Sequence, residues 1–269
     1  MIILKSSEEI EKMRRAGRLV AQVLDAVSAM ADVGVTTLQL DEVAEKMIRA
    51  AGGVPAFKGY KPEFIKCGPF PATLCTSVNS EVVHGIPSGR TLSDGDLLSI
   101  DTGVELDGYF GDAAVSVAIG TAAPEVQKLV DVTKHALEAG IVMCRPGNRL
   151  GDVSQAVQAV AEAEGFNVVR RFVGHGIGTR MHEDPPIPNY GVRGTGPALK
   201  PGMVFALEPM VNVGTHEVSA SADCWPVNTK DGRLSAHFEH TIAVTEDGPD
   251  VLTVATGRGA ELEKPGRLG

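Results

Sequence analysis

Twice along its length this sequence writes a pair of helices and closes each pair with the same glycine spacing, which constrains it to fold as two related halves. Ser6 with Glu9 makes a capping box, and Ile10, Met13, Ala16, Val20, Val23 and Leu24 recur at helical spacing. Together they predict an amphipathic helix over about 7–31, closed by Gly34. Thr36 with Gln39 signals a second start, and Leu40, Val43, Ala44, Met47 and Ile48 carry that helix to Gly52-Gly53. The same grammar returns as a helix from about Pro124 to Cys144, then Pro146-Gly147, then a shorter helix from about Gly151 to Gly165. Gly34 and Gly52 are 18 positions apart, and so are Gly147 and Gly165. Strand-like runs follow each pair, over 97–118 in the first half and over 203–213 and 234–244 in the second. An internal duplication offset by 113 residues is therefore expected, with the halves related by a pseudo-twofold.

The hydrophobic fraction of 43% in 269 residues is ample for a buried core. A net charge of −9 argues against a nucleic-acid or anionic-membrane binder, because phosphate contacts need clustered Lys and Arg. Cys67, Cys75, Cys144 and Cys224 form no C-x-x-C pair and read as free thiols in a reducing compartment. The four apolar residues Met1 to Leu4 are too short a run for a signal peptide, and no membrane-spanning stretch follows. A cytoplasmic location is expected.

Asp107-Gly108 is a two-residue hairpin signal between strand formers at 97–106 and 109–119. A type I′ turn there pairs Leu106 with Tyr109 and sets Gly103 opposite Asp112. Asp101, two residues along on the face of Gly103, becomes a diagonal neighbour of Asp112, about 7 Å away at the backbone. Gly103 is expected to leave the space between them empty. Both acids lie in runs that read as buried, as do Glu208 after Phe205-Ala206-Leu207 and Glu239 after Phe238. Buried acids need a compensating charge.

Those four carboxylates with His175 suit a pair of divalent cations, because four negative charges balance two dications. Oxygen-rich ligation with one nitrogen points to manganese, iron, cobalt or catalytic zinc, and two such ions a few Å apart make a hydrolase centre. Two other readings explain less. Asp101-Thr102-Gly103 spells the D-T-G of aspartic proteases, but no second copy or D-S-G accompanies it. The glycines of 174–178 resemble a phosphate cradle without the P-loop Lys or the G-x-G-x-x-G spacing.

In order along the chain stand Glu81-Val82-Val83-His84-Gly85-Ile86-Pro87, Ile100-Asp101, Gly111-Asp112, Gly174-His175-Gly176-Ile177-Gly178, His182-Glu183, Ala206-Leu207-Glu208-Pro209-Met210 and Phe238-Glu239-His240-Thr241. This ordered set, spanning about 6–255, resembles type I methionine aminopeptidase of bacteria. The resemblance implies the α+β pita-bread (creatinase/aminopeptidase) fold, with two pseudo-twofold-related αβ halves and antiparallel sheets. It implies one catalytic domain over 1–269, with halves at about 6–120 and 121–255. The family removes the initiator methionine from nascent chains, preferably before a small second residue, through a hydroxide activated by two metal ions. Cobalt, manganese, iron, zinc or nickel can serve in the family.

By the resemblance Asp112 and Glu239 bridge both ions, Asp101 holds one of them, and His175 with Glu208 holds the other. Glu208 doubles as proton acceptor, and His84 and His182 steady the scissile amide. His84, between Val83 and Gly85-Ile86-Pro87, also reads as a plain turn residue. Tyr60, Phe70, Cys75, Met181 and Trp225 stand at or beside the positions of the methionine pocket, with 61–69 a longer link than the family pattern has. Cys75 also fits as core. The implied partners are nascent polypeptide N-termini and, transiently, the ribosome, and the implied state is a monomer. His135 and His216 read as surface residues, and His240 as structural or outside the ligand shell. Proline-directed relatives usually carry an extra N-terminal domain, type II enzymes carry a helical insertion between the positions of His182 and Glu239, and non-catalytic relatives lose ligands that are present here.

Overall fold

The computed structural model describes residues 1–62, 68–220 and 225–255. Cys67 and Cys224 lie outside them, as do residues 63–67 of the long 61–69 link. Among the described residues four helices form: α1 (Ser7–Met30), α2 (Thr37–Ala50), α3 (Pro124–Met143) and α4 (Leu150–Ala163). Both expected capping boxes close, Ser6 with Glu9 on α1 and Thr36 with Gln39 on α2. Gly34, Gly52, Gly147 and Gly165 all take positive φ, between +80° and +92°, the left-handed turn that ends a helix.

The strands are β1 (Val54–Pro55), β2 (Cys75–Val78), β3 (Glu81–Val83), β4 (Leu97–Leu106), β5 (Tyr109–Ala118), β6 (Asn167–Val168), β7 (Gly174–Gly176) and β8 (Glu183–Ile187), followed by β9 (Val204–Leu207), β10 (Met210–Asn212), β11 (Val218–Ala220), β12 (Val227–Thr229), β13 (Ser235–His237), β14 (His240–Thr245) and β15 (Gly248–Val251). Among the described residues every pairing is antiparallel. In the first half β5 lines one edge of β4, and β1 and β2 share the other. The second half holds the order β15-β14-β9-β7-β8 and a smaller β13-β10-β6 sheet, while β11-β12-β3 joins the two halves.

The 113-residue offset holds through the second helix of each pair and the short strand that follows it. α2 and α4 are both 14 residues long, and Thr37 maps on Leu150, Ala50 on Ala163, and β1 on β6 at that spacing. Isolated bridges begin at matching positions, Thr36 with Thr91 and Arg149 with Ala198, though their partners lie 107 residues apart. Each helix pair buries its apolar stripe on its own sheet. Val20, Leu24, Leu40 and Ile48 pack with Leu98 and Ile100, and Leu129, Leu137, Val153 and Val157 pack with Phe205 and Leu207.

Two expected strands are interrupted. The runs over 203–213 and 234–244 each break at their acid, Glu208-Pro209 in one and Phe238-Glu239 in the other. Pro209 has no N–H to offer the ladder, so the pairing opens there. The register continues across the gap, with Leu207 opposite His240 on one side and Met210 opposite His237 on the other.

Candidate active site

The β4–β5 hairpin forms in the expected register. Asp107 and Gly108 have φ of 52° and 78°, Leu106 pairs with Tyr109, and Gly103 pairs with Asp112. Asp101 pairs with Ala114 and sits diagonally from Asp112. Thr241 of the second half clasps Asp112 from behind: its Oγ1 accepts the Asp112 N–H at 3.0 Å and donates to the Asp112 carbonyl at 2.8 Å. Gly103 does not leave a void for ions. A Cβ there would lie 2.9 Å from both Met181 Cε and Phe57 Cε1, so the missing side chain admits these two residues instead.

The break in the second half's ladder places Glu208 opposite Glu239, and each is fixed through its backbone. The Glu239 N–H donates to Ala114 of β5 at 2.9 Å, tying the two halves together, and Asn189 Nδ2 donates to the Glu208 carbonyl at 2.9 Å. His175, on β7 between Ala206 and Pro186, brings Nε2 to 3.7 Å from both Asp112 Oδ2 and Glu208 Oε1. One ligand atom each from Asp112, His175 and Glu239 lie within 4.8 Å of one another.

The electrostatics of this cluster call for cations. Oδ1 of Asp101, Oδ1 of Asp112 and Oε1 of Glu239 are buried and unpartnered among the described residues. Burial, and then the charge of neighbouring acids, holds Asp101 and Glu239 well above the usual carboxylate range. Burial also pushes Glu208 up to about 8, against the pull of His175. Burial opposes protonation of His175 itself, yet Asp112 and Glu208 raise its pKa. Repelling, orphaned carboxylates around one imidazole fit divalent metal, whose charge would relieve both faults.

The cluster forms one end of a cavity of about 800 Å³ whose wall includes every residue expected at the site. Phe70, Cys75 and Trp225 make its apolar part, with Phe57 and Tyr60 packed against them. The long 61–69 link leaves Tyr60 and Phe70 in place, because the Phe70 N–H donates to the Tyr60 carbonyl at 2.9 Å and the Gly59 N–H to the Phe70 carbonyl at 2.8 Å. Cys75 pairs with Asp101 across β2 and β4, and burial pushes its thiol well up. It is core and cavity wall together.

His84 takes φ 62° and stands edge-on to both Phe172 and Trp225, with ring centroids 5.8 and 5.9 Å away, and burial lowers its pKa to about 4. His182, an exposed residue, lies with its ring tilted 43° to that of His175 at a centroid distance of 4.2 Å and places Nδ1 2.8 Å from the Tyr60 hydroxyl. Its pKa is lowered, first by desolvation of the cavity-facing ring and then by the neighbouring histidines. His135 is exposed, His216 is half-buried, and His240 bonds Thr253 Oγ1 through Nδ1 at 2.8 Å, away from the carboxylates.

Sequence reasoning missed His237. It lines the cavity with Nε2 3.9 Å from Glu239 and 4.0 Å from Glu208, and burial lowers its pKa to about 3. Its position two residues before Glu239, on the same face of an extended strand, was the available signal. Phe57, Arg171 and Phe172 also line the cavity without having been singled out.

A buried carboxylate cluster flanked by the imidazoles of His175 and His237, set between two antiparallel αβ halves, defines a metal-dependent hydrolase. The model of metallopeptidase family M24 matches residues 11–246. A methionine aminopeptidase of Clostridium acetobutylicum is 49% identical over 255 residues, 94% of this chain and 99% of its own length. The crystal structure of methionine aminopeptidase from Rickettsia prowazekii superposes with a TM-score of 0.91 at 42% identity, covering 94% of this chain and all of that one. A prolidase from Pyrococcus furiosus, at 21% identity, TM-score 0.72 and coverage of 93% of this chain and 65% of its own, shares the fold alone. The chain belongs to metallopeptidase family M24 and, within it, to the methionine aminopeptidases of the pita-bread fold.

Proposed function

We propose that this chain removes the initiator methionine from nascent proteins and peptides, preferably when the second residue is small. The observation that carries this reading is one cavity joining the carboxylate cluster to the apolar wall of Phe70, Cys75 and Trp225. An unbranched thioether fits such a wall and gains from sulfur contacts at aromatic edges. Two divalent ions are inferred, which Asp101, Asp112, His175, Glu208 and Glu239 would hold. When bound, they supply an acidified water and polarise the scissile carbonyl.

The chain's own groups would do the rest. Glu208 would take the proton from the attacking water and return it to the departing amine, its Oε1 lying 3.7 Å from His175 Nε2 within the same cluster. A Tyr60 hydroxyl that donates to Nδ1 of a neutral His182, 2.8 Å away, would leave that ring's proton on Nε2, ready for the carbonyl oxygen. His84, also neutral, is held against Trp225 to contact the amide.

The whole chain is read as one catalytic domain, with halves at about 6–120 and 121–255, acting as a cytoplasmic monomer that meets nascent chains, transiently at the ribosome. Among the described residues no helix is long and apolar enough to cross a membrane. Cobalt, manganese, iron, zinc or nickel would satisfy the donor set, and cellular supply decides among them. The test is hydrolysis of Met-Ala-Ser, Leu-Ala-Ser and Pro-Ala-Ser by metal-stripped protein titrated anaerobically with manganese, iron or cobalt. Metal-dependent release of Met alone is expected, and preference for the Pro peptide would overturn the specificity.

A further inference from the structure

Glu183 follows His182 directly but is not part of the cavity wall. Its side chain is 1% exposed and paired with Lys5 Nζ, whose own side chain is 4% exposed. The other carboxylate oxygen accepts the backbone N–H of Thr179 at 3.0 Å and of Arg180 at 3.2 Å. Lys5 is anchored in turn, its N–H donating to the Gly202 carbonyl at 2.7 Å and Nζ to the Ile3 carbonyl at 3.3 Å. The approach requires Gly178, because a Cβ there would sit 2.4 Å from Lys5 Cε and 2.7 Å from Glu183 Oε1.

The irregular segment between β7 and β8 that this carboxylate holds is the one carrying Met181 and His182. Met181 reaches the open face of Gly103 beside Asp101, and His182 lies between His175 and Tyr60. Two backbone amides of a segment poor in ladder hydrogen bonds thus depend on one buried carboxylate, held by a lysine that precedes the first helix. Stability alone gives weak reason for such a pair, since a well-packed apolar replacement is often neutral or better. Placement of a reacting segment gives a stronger one, because a displacement of about 1 Å at a positioning group can cost about a hundredfold in rate.

We propose that the buried Lys5–Glu183 pair is a positioning strut that fixes the 179–182 segment, setting His182 for the reaction and Met181 for discrimination of the first side chain. This rests on the aminopeptidase reading. Neither residue touches substrate. The strut acts through the segment it holds.

The test compares wild type, Lys5→Met, the apolar double variant Lys5→Met/Glu183→Leu, and each in a His182→Ala background, all loaded with manganese. The double variant removes the unpaired buried charge, so it keeps the protein folded if Lys5→Met alone does not. Expected are a fall in kcat of at least about tenfold on Met-Ala-Ser, a narrower preference for Met-Ala-Ser over Leu-Ala-Ser, and unchanged manganese affinity by calorimetry. The fall should largely vanish when His182 is already Ala. Amide exchange at Thr179 and Arg180 should speed up in both strut variants. A folded double variant with wild-type kcat and selectivity would overturn the strut, as would a penalty that simply adds to that of His182→Ala. Failure of wild type to cleave Met-Ala-Ser would count against the aminopeptidase reading alone, and unchanged amide exchange at residues 179 and 180 would then still overturn the strut.

Discussion

The two halves deliver their acids by different means. In the first, Asp101 and Asp112 stand on an unbroken hairpin of two ten-residue strands, where alternation and one Asp-Gly turn settle which side chains are neighbours. In the second, Glu208 and Glu239 face each other across a ladder that opens at Pro209 and resumes in the same register. A continuous hairpin places acids by period. A broken one places them by the gap, and the gap also frees the Glu239 backbone to pair with Ala114 of the other half.

The largest effect comes from removing one acid from either half. Glu208→Gln should lower kcat on Met-Ala-Ser by roughly 10²–10⁴-fold, the range of a lost acid–base group. Asp112→Asn, from the intact hairpin, should lose at least a comparable factor. Activity surviving in only one of these variants would mean that the halves do not share one centre.

Next comes pH, read on metal-free protein. The unfolded chain ionises its Glu near 4.3, whereas the folded site holds Glu208 protonated until about 8 and Asp101 and Glu239 well above the ordinary range. Through these acids the folded state binds more protons, and stability conferred below the unfolded pKa is lost as pH rises through the folded one. His84 and His237, lowered by burial to about 4 and about 3, bind fewer protons when folded and act the opposite way below about pH 6.5. Denaturant unfolding in chelator at pH 7, 7.5 and 8, where those histidines are largely neutral in both states, should show a steady decline. Manganese should flatten it, with its stabilising effect growing toward pH 8.

Much of the first half was legible in sequence because its determinants are local. Two capping boxes, the glycine stops and the Asp107-Gly108 turn fix helix ends and register over a few residues each. The second half depended on contacts between distant segments. Nothing near Glu208 announces that Asn189 will hold its carbonyl, and nothing near Gly103 announces that Met181 and Phe57 will fill its face. His237 offered one local signal, its place two residues before Glu239, but its approach to Glu208 depended on the distant segment. The acid and imidazole types were legible throughout, because buried charge in apolar runs has few explanations other than metal or catalysis.

The clasp between halves supplies a smaller test. Thr241→Val leaves the buried N–H and carbonyl of Asp112 without their shared hydroxyl, at a cost of about 1–3 kcal/mol read as a fall in unfolding free energy. The smallest effect is at the turn. Gly108→Ala puts a side chain at φ 78° with nothing nearby to clash, so only the backbone penalty of about 1–2 kcal/mol remains. A loss of hairpin register in that variant, seen as lost activity along with lost stability, would show that the first half is less self-sufficient than its sequence suggests.

The most direct measurement is the number of manganese ions bound per chain, determined by calorimetry on metal-stripped wild type and on Asp101→Ala. A centre shared by both halves predicts two ions in the wild type and one in the variant, because His175 and Glu208 still hold theirs. Two ions in both proteins, or none in the variant, would contradict the division of ligands between the halves.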